Sequence, residues 1–158
     1  MIIYWGQSII IGFYNFIKIL NLKNFTTENF KINGQTVEPN NATKYKTAIF
    51  FVFHYGLFHV AYLSFILNVF SFDMSNLIFP GIAVTIFFFD HAYSFKQNFK
   101  EVTKKKQNIG TVMFFPYARI IPMHAIIMLG AYTNESIIPF LLLKTIADLV
   151  MQAIEYKM

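Results

Sequence analysis

The chain has 158 residues, 56% of them hydrophobic and only 13% charged, with a formal charge of +5. Its 20 Phe and 9 Tyr, with many Ile, exceed what a soluble domain this small can bury, so a lipid bilayer is the expected solvent for the excess. There is no cysteine, which excludes disulfides, thiolate metal sites and iron–sulfur clusters.

Taken in chain order, the first apolar segment is Ile2–Leu20. It opens Met1-Ile2-Ile3-Tyr4-Trp5, with no basic residue and no small-residue cleavage site, and reads as a retained span rather than a signal peptide. Tyr4 and Trp5 suit an outer interfacial aromatic belt. A polar loop follows, Asn21–Lys46, rich in Asn, Thr and Lys and containing Gly34 and Pro39. The second and third spans are Thr47–Phe72 and Leu77–Phe95, joined by a tight turn within Ser71–Asn76. The next connector, Lys96–Gly110, carries the run Lys104-Lys105-Lys106. The fourth and fifth spans are Pro116–Tyr132 and Ser136–Ile154, with Thr133–Glu135 between them. No internal repeat is visible. The fold predicted is all-α: one polytopic transmembrane bundle of about five spans over the whole chain. Gly12, Gly56, Gly81 and Gly130 are expected to let helices approach closely. Pro122 is expected to kink the fourth helix and free a backbone carbonyl.

The basic residues predict orientation. Lys18, Lys23, Lys31, Lys44 and Lys46 gather at or in the first long connector. Lys96, Lys100 and Lys104–Lys106 lie in the second, Arg119 just beyond it, and Lys157 near the C-terminus. The short turns and the N-terminus hold no Lys or Arg. All basic residues but Lys144 therefore fit one alternation, with the N-terminus outside and the C-terminus on the cytoplasmic side of the membrane. A nucleic-acid surface would not sort its charge in this way, so no nucleic-acid partner is expected.

Every histidine lies in or at the end of an apolar span, where an imidazole is costly unless it has a partner. At a rise of about 1.5 Å per residue, His54, His91, His124 and Asp148 fall in one layer of the cytoplasmic half, with His59 nearer the midplane. His54 and His59, five positions apart, stand about 140° apart around a helix and cannot chelate one ion as an i,i+4 pair would. One is expected to face the bundle and the other a neighbouring helix, or each a separate site. Imidazole suits Zn, Cu, Fe and haem iron. The expected ligands of a metal are thus His54, His91, His124 and Asp148, and of a haem or other cofactor His54, His59, His91 and His124. The competing explanation is four structural histidines bonded across helices. Arg119 reads as an inner-face anchor. Lys144 and Asp148 read equally as an ion pair or a proton relay.

The strings Tyr4-Trp5-Gly6-Gln7…Gly12, His54-Tyr55-Gly56…His59, His91-Ala92-Tyr93-Ser94-Phe95, Pro116-Tyr117-Ala118-Arg119-Ile120…Met123-His124 and Lys144-Thr145…Asp148 together resemble one family, domain of unknown function 6498. The resemblance covers nearly the whole chain. It implies prokaryotic polytopic membrane proteins and marks the four histidines, Arg119, Lys144 and Asp148 as motif positions; it brings no established activity. The chain differs at Gln7, where the family pattern has Glu, and is expected to begin late, since members carry further apolar sequence ahead of this point.

Two classes of function follow. One is a membrane redox or metal protein using haem or a transition metal. The other is a proton- or ion-coupled small transporter, for which five spans without an inverted repeat are thin. A non-catalytic subunit of a membrane complex is a third reading. The partners expected are the bilayer and either further copies of the chain or other membrane subunits.

Overall fold

The computed structural model describes residues 2–69, 77–104, 106–118 and 120–121, with isolated helical positions at Leu142, Thr145, Ile146 and Leu149. The fold is mostly helical, and its chain divides into two compact units, Met1–Phe114 and Phe115–Met158. In the second unit the described residues are helical throughout. The expected turns at Ser71–Asn76 and Thr133–Glu135, and nearly all of the fourth and fifth spans, lie outside the described residues.

The first unit opens with α1 (Ile2–Asn21), whose limits match the first expected span. The connector after it is not a plain loop. It holds β1 (Phe25–Thr26) and a small antiparallel hairpin of β2 (Lys31–Ile32) and β3 (Gln35–Thr36). Asn33 and Gly34 form the hairpin's two-residue turn with φ of 52° and 79°, the left-handed pair that an Asn-Gly turn supplies. Helix α2 then runs from Asn41 to Val69 and begins earlier than the expected Thr47, because Asn40 caps it. The Asn40 carboxamide oxygen accepts the Thr43 N–H at 2.8 Å, satisfying a donor that the first helical turn leaves unpaired.

Helix α3 (Ile78–Lys104) continues well past the expected Phe95, through much of what the sequence presents as a polar connector. After it come β4 (Gln107–Asn108) and the short apolar helix α4 (Ile109–Ala118). Strands β1 and β4 pair in parallel, Phe25 with Gln107 and Thr26 with Asn108. Asn108 adds two links: its amide donates to the Glu28 carbonyl at 2.7 Å, and its side-chain oxygen accepts Gly110 N–H at 2.9 Å. One residue therefore ties the two long connectors together and caps α4. The end of α1, the start of α2, the end of α3 and the start of α4 consequently share one end of the unit.

Helix α1 packs along both α2 and α3, which make almost no contact with each other. Its inward positions include Gly6, Ser8, Ile10, Gly12, Asn15 and Ile19. A methyl group at Gly6 would meet Val84 Cγ2 of α3 at 2.7 Å, and one at Gly12 would overlap the Tyr55 ring of α2. These two glycines let the neighbouring helices close on opposite sides of α1. Gly56 and Gly81, expected to do the same, meet nothing within 4 Å among the described residues, and Gly130 lies outside them.

Two helical stretches among the described residues are long and apolar enough to cross a membrane, Asn41–Asn68 and Ile78–Gln97. Their outward faces carry Phe53, Leu57, Val60, Ile78, Phe79, Ile86 and Phe89, all exposed. Helix α1 is also long enough, with Gln7, Ser8, Tyr14 and Asn15 interrupting its apolar run. Ser8 and Asn15 are turned inward and buried, which makes α1 the polar spine of the unit.

Asn15 also answers a problem set by the fourth helix. Pro116 has no N–H, so it cannot donate to the carbonyl of Val112 four residues earlier. The Asn15 side-chain amide donates to that Val112 carbonyl at 3.0 Å, within a buried contact. A proline was expected to free a carbonyl in this helix at Pro122, which lies outside the described residues. Among the described residues it is Pro116 that does so, and a neighbouring helix supplies the missing donor.

A candidate functional site around His59

The buried stripe of α2 runs Ala48, Phe51, Tyr55, His59, Tyr62 and Ile66, at spacings of three or four. This stripe places His59 in the interior, only 4% exposed. Its ring stacks on Tyr55 with centroids 4.4 Å apart, and Tyr62 presents its ring edgewise at 6.5 Å. Tyr55 is fixed in turn from α1: its hydroxyl donates to the Ser8 carbonyl at 2.9 Å and lies 3.0 Å from Ser8 Oγ. Trp5 Nε1 donates to the His59 carbonyl at 2.9 Å. The expected role of Trp5 as an interfacial belt residue is thus supplemented by a specific bond between helices.

The protonation of His59 follows from its contacts. Nδ1 lies 2.8 Å from the Tyr55 carbonyl oxygen, which only accepts, so Nδ1 carries a hydrogen. In the neutral ring the other nitrogen, Nε2, then holds a bare lone pair. Nε2 is buried and has no hydrogen-bond partner among the described residues. An acceptor withdrawn from water without a donor is destabilising, so such an atom calls for an explanation. Metal-ligating histidines are also held in this way, with one nitrogen on a carbonyl and the other left to the metal.

The remaining expected site residues do not gather around it. His54 lies on the exposed side of α2, stacked on Phe50 at 5.1 Å and edgewise to Phe58 at 5.1 Å. His91, on α3, is half-buried beside Tyr14 of α1, ring centroids 6.5 Å apart, and its Nδ1 is 4.0 Å from the exposed carboxylate of Asp90. Among the described residues no three His, Asp or Glu side chains come together to hold a metal ion. The shared histidine layer is therefore not assembled within the described part of the chain. Gln7 is half-buried on α1. His124, Arg119, Lys144 and Asp148 lie outside the described residues.

Sequence reasoning missed Ser8 and Asn15 as buried polar groups. Tyr55 both packs on the histidine and uses its hydroxyl. The available signal was the three–four spacing of Tyr55, His59 and Tyr62, which sets them on one face and leaves His54 off it.

Fold and site together define a mostly helical protein with helices apolar enough for a membrane and a polar seam along its central helix. The whole chain, residues 1–158, matches the model of a family described as "Family of unknown function (DUF6498)", and the protein belongs to that family. No curated protein and no solved structure matches the chain.

Proposed function

We propose that the protein is an integral membrane protein of about five spans in which His59 is the leading ligand of a haem iron or transition metal used in electron transfer. The observation that carries this reading is the buried Nε2 lone pair, oriented through Nδ1 by the Tyr55 carbonyl and lacking a partner among the described residues. His91 and His124 remain further ligand candidates. His54, on the exposed side, suits a site completed by a second copy or another subunit, and Asp148 suits an orienting acceptor for a ligand's ring N–H. Protein purified in detergent after growth with iron, copper and zinc should show a Soret band or near-stoichiometric metal by elemental analysis. Absence of both would sink ligation and leave the proton-coupled carrier, in which the same lone pair accepts a proton.

The orientation proposed is N-terminus outside and C-terminus inside the cytoplasmic membrane. The pairing of β1 with β4 supports it, because it sets both Lys-rich connectors at one end, as the positive-inside rule requires. A cysteine placed at Gln35, exposed in the hairpin, should react with a membrane-impermeant maleimide only after permeabilisation. Full labelling of intact cells would reverse the orientation.

A further inference from the structure

Between the two connectors lies a shallow, open cleft of about 350 Å³ lined by Lys23, Asn24, Phe25, Pro39 and Lys106. Lys23 and Lys106 come from different connectors and are brought to one cleft by the neighbouring β1–β4 ladder. Lys44 stands next to this group, with its ammonium 3.4 Å from the Leu22 carbonyl. The connector's own carboxylates, Glu28 and Glu38, pair with none of these lysines among the described residues. Phe25 is buried and gives the cleft an apolar floor, while Asn24 is exposed and offers an amide at its edge. Two ammonium groups that form no ion pair among the described residues, over an apolar floor, suit an anion. The volume lies at the lower end of small-molecule sites, which fits a headgroup-sized ligand.

We infer that this cleft binds a phosphate-bearing anion, either the phosphodiester of an anionic lipid headgroup or free phosphate. The site rests on the membrane reading only for the lipid source, and not at all on ligation at His59. Each lysine near an anionic surface is worth about fivefold in binding, so the pair is worth some ~25-fold.

The test uses the full chain purified in detergent. One arm measures retention of phosphatidylglycerol against phosphatidylcholine by native mass spectrometry; the other titrates inorganic phosphate followed by phosphorus NMR line width. A preference for phosphatidylglycerol that falls about 25-fold in Lys23→Gln/Lys106→Gln assigns the headgroup. Phosphate binding lost in the same variant, without lipid preference, assigns the free anion. Lys31→Gln, an exposed change on β2, should alter neither. The single variants, each expected to lose about fivefold, keep the test valid if the double variant folds poorly. If wild type and the Lys23/Lys106 variants bind both probes alike, the site does not exist. The phosphate arm needs no bilayer, so its outcome is independent of whether the protein spans one.

Discussion

Asn15→Leu is expected to destabilise the protein by about 1–3 kcal/mol, and Pro116→Ala in the same chain to restore most of it. The first change leaves the buried Val112 carbonyl without the amide that bonds it at 3.0 Å. The second gives residue 116 an N–H, so the helix can satisfy that carbonyl by itself. Pro116→Ala alone should be far milder, since the carbonyl then has two donors to choose from. The measurement is thermal unfolding of the four proteins in one detergent, read as a double-mutant cycle. Strictly additive effects would mean that Asn15 and Pro116 do not serve the same carbonyl. The sign of the coupling is the informative part: a proline tolerated within a helix is tolerated because something outside that helix replaces its hydrogen bond.

His59→Leu should separate the cost of the site from its use. In the metal-free protein the substitution removes an unsatisfied buried nitrogen, a gain of about 1–3 kcal/mol. It also loses the stack on Tyr55, worth about 0.5–1.5 kcal/mol, and the Nδ1 hydrogen bond to the Tyr55 carbonyl, worth about 0.5–1.5 kcal/mol. Gain and losses nearly cancel, and the melting temperature is expected to stay level. Bound haem or metal should fall by more than the roughly 10–100-fold that loss of an orienting partner costs. A histidine kept for packing alone predicts the opposite pair of results, a lower melting temperature and unchanged metal content. Finding that pair would end the ligand assignment.

Much of the helical framework is legible in the residues. Length and apolar content locate α1 closely and place α2 and α3, because a helix that can span a bilayer needs a long apolar run. The helix ends are less legible. The early start of α2 depends on an Asn40 cap, and the extension of α3 beyond Phe95 passes through Lys and Gln, which are good helix formers in water as well. The Asn33-Gly34 turn was a readable hairpin signal inside a segment that otherwise looks like loop.

Which face of α2 points inward is harder to read. Phe53, Leu57 and Val60 are exposed while Phe51, Tyr55 and Ile66 are buried, so both faces are apolar and hydrophobic periodicity says nothing. Counting residues gives a position along the helix axis but not an azimuth, and a shared layer needs both. His54 and His91 fall at matched depth by counting and still present themselves to different surroundings. The polar seam of α1 escaped notice for a related reason: Ser8 and Asn15 are ordinary residues whose importance arises from what lies opposite them.

The Asn108–Glu28 link spans 80 positions of chain, and this imposes an order on biosynthesis. While α1, the hairpin and α2 are leaving the ribosome, strand β1 has nothing to pair with. Its partner is translated only after the whole of α3, several seconds later at roughly 5–20 residues per second. Until then the young chain holds a basic connector and helices whose final register is unset. Closing so long a loop is entropically slow, so the pairing acts as a late latch and not as a nucleus. Truncated nascent chains released before residue 108 should thus be the forms most open to proteolysis, and those released just after it markedly less so.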